Sequence, residues 1–148
     1  MAECNSCPSN DGCSKDKESC MVKNNPYNKV KKIIGVMSGK GGVGKSSISV
    51  LIAKQLKKLG YSVGILDADV TGPSVPNLMG LKGKKAETTE EFILPVDTQD
   101  GIKAISLNLL LEDENQPVIW RGSIISGAVK QFWTDVIWGE LDYLVIDM

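Results

Sequence analysis

The chain of 148 residues contains no histidine, and this absence removes several classes of site. A Ser-His-Asp triad, a Cys-His nucleophile pair and a metal site with imidazole ligands all need histidine. The chain also lacks an apolar run of the roughly 20 residues that a membrane-spanning helix needs. Its polar first residues do not resemble a signal peptide. We therefore expect a cytoplasmic protein that has no membrane partner.

An excess of charge of one sign is absent as well. The formal net charge is −1, which argues against a broad nucleic-acid surface, so we expect no nucleic-acid partner. The hydrophobic fraction of 42% fits one globular domain with a substantial core.

Composition divides the chain into two units. Residues 1–28 are polar and rich in cysteine, and they show neither helical nor strand periodicity, which is typical of a tail unless a ligand orders it. Residues 29–148 alternate apolar strand patterns with amphipathic helical patterns. This alternation predicts an α/β domain with a mostly parallel, twisted sheet and helices on both faces.

The periodicity also predicts individual elements. Pro95 should place its strand at a sheet edge, because proline cannot donate a ladder hydrogen bond. The predicted elements in chain order are a strand at 33–37, a helix from 46 to 59 with Gly60 as its cap, a strand at 62–67, two strands at 92–96 and 102–107 joined by a turn, a helix over 123–138 and a strand at 141–147.

Residues 39–46 have the spacing of a phosphate-binding loop between a strand and a helix. Glycine permits the φ values that turn successive N–H groups toward phosphate oxygens, and the helix adds its positive N-terminus. Lys45 is then placed to contact the β and γ phosphates, and the Ser46 hydroxyl to bind Mg²⁺. The alternative is a flexible glycine-rich turn. The candidate nucleotide-binding residues are Gly39, Lys40, Gly41, Gly42, Val43, Gly44, Lys45, Ser46 and Ser47.

Two apolar strands end in aspartate, at Asp67 with Asp69 and at Asp147. Ligands of α/β sheets bind at the carboxyl ends of the strands, so these acids should converge on the phosphate-binding loop. Asp147 fits the Walker B role at Mg²⁺. Asp67 and Asp69 lie on one side of an extended backbone, where one can orient a metal-bound water and the other the attacking water. The alternative is that these aspartates only cap the turns that follow.

Four cysteines lie close together in the tail, at Cys4, Cys7, Cys13 and Cys20. In a reducing cytosol such cysteines are metal ligands or redox groups more often than disulfide partners. Four thiolates can hold a tetrahedral Zn²⁺ or a 4Fe-4S cluster, and the spacing does not choose between them.

Several segments resemble the Mrp-type iron-sulfur cluster carrier ATPases, which belong to the MinD/ParA/Mrp class with a deviant Walker A motif. The resemblance implies ATP hydrolysis, a homodimer or a hetero-oligomer with a sister ATPase, and delivery of 4Fe-4S clusters to apoproteins. It implies that Lys40 acts in trans on the partner's phosphates, that Asp69 positions water and that Asp67 lies near the metal. The segments that carry the resemblance are residues 40–46, 67–76, 79–81, 118–122 and 133–147.

The same resemblance bears on other positions. The spacing of Cys4, Cys7 and Cys13 is similar to the ferredoxin-like motif of the eukaryotic carriers, and this similarity favours a cluster over zinc. Those carriers place their remaining cysteine upstream of this group, whereas Cys20 lies downstream, so Cys20 departs from the pattern. Arg121 could contact phosphate or a partner subunit, or it could simply be a surface residue at the start of a helix, and we do not count it among the catalytic residues.

Members of the family continue past the Walker B strand. We therefore expect an N-terminal fragment whose fold is incomplete at the C-terminus and whose ATPase activity alone is weak or absent.

Two other functions share the phosphate-binding loop. One is a positioning switch like MinD or ParA, whose output is membrane or DNA attachment. Attachment to a membrane or to DNA requires a basic amphipathic helix or a basic surface, and neither is visible in the sequence. The other is an ATP-gated reductase like the nitrogenase iron protein. The cysteine tail favours the carrier over the positioning switch.

Overall fold

The computed structural model describes residues 25–69, 74–89, 92–106, 109–110 and 132–148. None of the helices in this part of the chain is long and apolar enough to cross a membrane. The elements are β1 (Lys29–Val36), α1 (Lys45–Lys58), β2 (Val63–Asp67), α2 (Ser74–Leu78), β3 (Glu87–Thr88), β4 (Ile93–Leu94), β5 (Val96–Asp97), β6 (Lys103–Ser106) and β7 (Glu140–Asp147).

The main sheet is mostly parallel, as the alternation of elements predicts. Its strand order is β1-β7-β2-β6-β5, and only β5 pairs antiparallel. Strand β7 therefore inserts between β1 and β2. The register places Asp147 opposite Val36 on one side and opposite Asp67 on the other. This register brings the ends of all three strands to one edge of the sheet.

Helix α1 begins and ends at glycines with positive φ. Gly44, with φ 86°, is its N-cap, and Gly60, with φ 90°, follows its last turn. The N–H of Gly60 bonds to the Lys57 carbonyl and the N–H of Tyr61 to the Leu56 carbonyl, which is a Schellman motif. Both predicted ends of the helix are confirmed.

The sheet carries a hydrophobic core on each face. On one face α1 contributes Val50 and Ala53, which pack in a cluster with Val63, Ile65 and Val145. On the other face Leu66 and Leu144 pack in a cluster with three residues of the chain's final part, which are Phe132, Val136 and Trp138. The fully buried β2 and the largely buried β7 are thereby covered on both sides.

The prediction of one continuous strand over residues 92–96 is wrong. It is divided at Pro95 into β4, which pairs antiparallel with β3 in a separate sheet, and β5, which pairs with β6. Pro95 has no N–H to donate, so the ladder breaks there. The prediction that this segment lies at an edge is confirmed by β5.

The prediction of a helix over residues 123–138 is wrong for its last residues. Its first part, residues 123–131, lies outside the described residues. Residues 132–134 are helical, but Val136 forms a parallel bridge with Ile93. The Ile93 N–H bonds to the Asp135 carbonyl, and the Ile137 N–H bonds to the Ile93 carbonyl. Asn28 accepts hydrogen bonds from the N–H groups of Trp138 and Gly139. These distant partners replace the intrahelical bonds.

Candidate functional site

The loop between β1 and α1 is exposed and contains two glycines in the left-handed region. Gly42 has φ 74° and Gly44 has φ 86°. A Cβ built on Gly39, Gly41, Gly42 or Gly44 would meet no atom of the described residues within 4 Å. Packing therefore does not demand these glycines. Gly42 and Gly44 are needed for their backbone conformation, and the open space at all four leaves room for a ligand against the backbone.

The first turn of α1 begins beside that space with N–H groups that lack an intrahelical acceptor. The first bond of the helix runs from the Ile48 N–H to the Gly44 carbonyl, and the N-cap provides no side-chain acceptor. The N–H groups of Lys45, Ser46 and Ser47 therefore have no intrahelical acceptor. The first turn also carries no acidic residue that would occupy the positive end of the helix. Such a helix start is suited to an anion.

Lys45 points into a group of carboxylates. Its Nζ lies 3.0 Å from Asp147 Oδ1 and 3.6 Å from Asp69 Oδ2. The Asp147 side chain is 0% exposed and that of Lys45 is 14% exposed. The contact with Asp147 has the distance of an ion pair without the angle of a hydrogen bond. Lys45 Nζ and Asp147 Oδ2 are thus buried polar atoms with no hydrogen-bond partner among the described residues.

Asp67 lies beside this group and is also buried. Its Oδ1 accepts a hydrogen bond from the Asp69 N–H at 3.1 Å, and its Oδ2 accepts one from the Ser106 hydroxyl at 3.3 Å. Burial, together with the smaller effect of the negative charge of Asp147, raises the pKa of Asp67 to about 7 against the lowering effect of backbone N–H groups. Two adjacent buried carboxylates resist carrying charge together without a cation.

Two serines of the site were missed in the sequence. The Ser49 hydroxyl donates to Asp147 Oδ1 at 2.8 Å, and the Ser106 hydroxyl donates to Asp67. A signal for Ser49 was present, because it follows Lys45 by four residues and so shares its helix face. Ser106 ends β6 next to β2, and its partner depends on the strand order.

A cleft of about 390 Å³ lies beside the start of α1. Ser46 and Ser47 line it from α1, and Ser74, Asn77 and Leu78 line it from α2. The predicted Mg²⁺ ligand Ser46 thus faces open space at the helix start. Lys40 is exposed, and its carbonyl accepts a hydrogen bond from the Ser38 hydroxyl at 2.8 Å.

The structure brings together part of the predicted set. Lys45 forms ion pairs with both Asp69 and Asp147, and Asp67 accepts a hydrogen bond from the Asp69 backbone N–H. Within the described residues, no group of three or more Asp, Glu or Cys side chains is arranged to hold a metal ion alone. Cys4, Cys7, Cys13, Cys20 and Arg121 lie outside the described residues.

Comparison with known proteins agrees with this geometry. Residues 29–148 match the ParA family model described as NUBPL iron-transfer P-loop NTPase. A solved structure from Archaeoglobus fulgidus, a nucleotide-binding protein in complex with ADP, superposes with a TM-score of 0.69 at 46% identity. That comparison covers 80% of this chain and 44% of the other.

Relatives of known name are also similar over most of the chain. The iron-sulfur cluster carrier protein of Clostridium perfringens is 47% identical over 99% of this chain and 53% of its own length. The cytosolic Fe-S cluster assembly factor Nubp2 homolog of Drosophila erecta is 49% identical over 80% of this chain and 46% of its own length. The chain thus spans about half the length of these relatives. From the phosphate-binding loop, the order of the strands and these matches, we conclude that the chain belongs to the NUBPL iron-transfer family of P-loop NTPases.

Proposed function

We propose that this chain carries the nucleotide-binding part of an ATP-hydrolysing protein that binds 4Fe-4S clusters and transfers them to apoproteins. The observation that carries the proposal is the buried Nζ of Lys45 beside Asp147 and Asp69, at the start of a helix whose first N–H groups lack intrahelical acceptors. The names of the relatives support the cargo and a cytosolic location.

Both the phosphate-binding loop and α1 contribute groups that bind ATP. The N–H groups of residues 41–46 bind phosphate oxygens, and Lys45 contributes a cation to the β and γ phosphates. Because Lys45 Nζ has no hydrogen-bond partner among the described residues, its donors remain available for such oxygens.

The donor set also fits Mg²⁺. Mg²⁺ prefers oxygen ligands and keeps several waters, so a few protein oxygens suffice. Ser46 provides a hydroxyl at the helix start, and Asp147 provides a buried carboxylate oxygen that no described residue satisfies. Asp67 is the next carboxylate along the same edge. When bound, Mg²⁺ would neutralise the charge of the β and γ phosphates.

Hydrolysis then needs a positioned water more than a strong base. Asp69 is 30% exposed and reaches Lys45, so its carboxylate can orient water from the solvent side of the site. Lys40 is exposed on the loop, as a residue that serves the phosphates of a second protomer in a homodimer or hetero-oligomer has to be. A 4Fe-4S cluster would be held by Cys4, Cys7 and Cys13, with Cys20 as the candidate for the fourth ligand. Zinc is the alternative occupant of the same cysteines.

The ATPase part is tested on the intact protein with Lys40→Ala and, as a matched control, Lys58→Ala, which removes an exposed lysine at the far end of α1. We expect Lys40→Ala to lower ATP turnover by roughly 10³-fold or more, as for cations supplied in trans, and to abolish ATP-dependent dimerisation. Lys58→Ala should behave as the parent. Equal turnover and dimerisation for all three proteins would contradict the role of Lys40.

The cargo is tested by anaerobic reconstitution with iron and sulfide, followed by absorbance spectra and analysis of metal and labile sulfide. Single Cys→Ala variants at positions 4, 7 and 13 should each lose the cluster, whereas the variant at 20 tells whether that cysteine is a ligand. Zinc without labile sulfide in the parent would favour the zinc site and count against the carrier.

A further inference from the structure

Ser49 lies on α1 with its hydroxyl against the carboxylate of Asp147. The Oγ–Oδ1 distance is 2.8 Å, and both residues are 0% exposed. Oγ is also 3.1 Å from the Lys45 carbonyl oxygen. A serine hydroxyl has one proton, and its bond to a carboxylate is stronger than its bond to a neutral carbonyl. That carbonyl is already the helical acceptor for the Ser49 N–H. The Ser49 hydroxyl therefore donates its hydrogen bond to Asp147 Oδ1 rather than to the Lys45 carbonyl.

The two oxygens of Asp147 differ in their surroundings. Oδ1 meets the Ser49 hydroxyl and Lys45 Nζ, whereas Oδ2 is buried and has no hydrogen-bond partner among the described residues. A buried acceptor without a donor costs free energy, and in a native protein it is explained when a ligand or water supplies the donor. One oxygen is thus held by the protein and the other remains for a ligand.

We propose that Ser49 is a positioning residue for the nucleotide site. Its hydroxyl holds Asp147 by Oδ1, which fixes the carboxylate plane and reserves Oδ2 for a water of the nucleotide-bound Mg²⁺. Because Ser49 is completely buried, it acts through Asp147 and touches no ligand itself. The inference rests on the proposed function. It separates Ser49 from Ser46, which lines the open cleft and can meet the metal directly.

The first test needs neither nucleotide nor metal. Urea unfolding in the presence of a chelator is measured for the intact parent, Ser49→Ala, Asp147→Ala and the double variant. If the hydroxyl acts on the carboxylate, Ser49→Ala is destabilising in the parent and has little effect once Asp147 is gone. An equal effect of Ser49→Ala in both backgrounds would overturn the proposal.

The second test measures binding of a fluorescent ADP analogue to the intact protein as a function of Mg²⁺ concentration. Ser49→Ala should raise the Mg²⁺ concentration for half-maximal binding by roughly 10-fold, as losses of groups that orient a metal ligand do. Binding without Mg²⁺ should be unchanged. Ser49→Thr, which keeps the hydroxyl, should restore the Mg²⁺ dependence, and Gln55→Ala on the exposed side of α1 should match the parent.

The outcomes separate this proposal from the proposed function. A parental Mg²⁺ dependence of Ser49→Ala, or a folded Ser49→Thr as impaired as Ser49→Ala, would overturn the role of the hydroxyl while leaving nucleotide binding intact. A parent protein that binds no nucleotide would overturn the proposed function and the Mg²⁺ role with it. The urea measurements would still report whether Ser49 holds Asp147.

Discussion

Replacement of Lys45 by methionine should destabilise the protein even without nucleotide. Lys45 is the cation that lies against Asp147 at 3.0 Å, and the Asp147 side chain is completely buried. Removal of one partner of a buried ion pair leaves an uncompensated charge, at a cost of about 3–5 kcal/mol. The total free energy of unfolding of a domain is only about 5–15 kcal/mol, so the loss should be large.

A matched control lies on the same helix. Lys54 pairs with Asp100 at 3.7 Å, and both side chains are substantially exposed, at 39% and 56%. Such a surface pair is worth about 0–1 kcal/mol, so Lys54→Met should change stability little. Both variants remove a lysine from α1 and replace it with an apolar side chain of similar length.

The assay is urea unfolding of the intact proteins at pH 8 with a chelator present. We expect the Lys45→Met variant to lose about 3 kcal/mol or more relative to Lys54→Met, and the addition of Asp147→Asn to recover most of the loss because the stranded charge is removed. If Lys45→Met and Lys54→Met were equally stable, the ion pair would not be an energetic feature of the fold and this reasoning would be refuted.

Two further predictions concern the core beside the site. Burial raises the pKa of Asp67 from 3.8 to about 7, so between these pH values the folded state binds a proton that the unfolded state has released. The free energy of unfolding should therefore fall by up to roughly 4 kcal/mol as the pH rises from 4 to 7. In urea titrations with a chelator present, Asp67→Asn should remove this pH dependence, and an unchanged dependence of stability on pH would contradict the assignment. A Cβ on Gly64 would lie 2.7 Å from Leu141 Cδ1 and 3.0 Å from Trp138, so Gly64→Ala should cost about 1–3 kcal/mol. A Cβ on Gly35 would meet, among the described residues, only the end of the flexible Met148 side chain, at 3.2 Å, so Gly35→Ala should cost less in thermal unfolding. Equal melting temperatures for the two variants would argue against the steric explanation.

Much of the fold follows from local patterns in the sequence. The three- and four-residue spacing of apolar side chains and the glycine after it fix α1, since both signals act within one helix. The apolar strands before Asp67 and Asp147 were also visible, and with them the expectation that both acids lie at one edge of a parallel sheet. The family resemblance is confirmed by the match over residues 29–148. The roles of Lys40, Asp69 and the cysteines stay predictions.

Other features depend on which distant segments meet. Strand β7 inserts between β1 and β2, which sets Asp147 opposite Asp67 and within reach of Ser49 and Lys45. The chain leaves its helical pattern before Val136 because Ile93 and Asn28 supply other hydrogen-bond partners.

The sequence by itself therefore determined the phosphate-binding loop, its helix and the strand-end aspartates, because glycine conformation, helical periodicity and strand length are local properties of the chain. Only the tertiary structure decided which carboxylate Lys45 and Ser49 contact and how deeply these groups are buried. Strand order and register are set by packing between residues about a hundred positions apart, and no local pattern encodes that pairing.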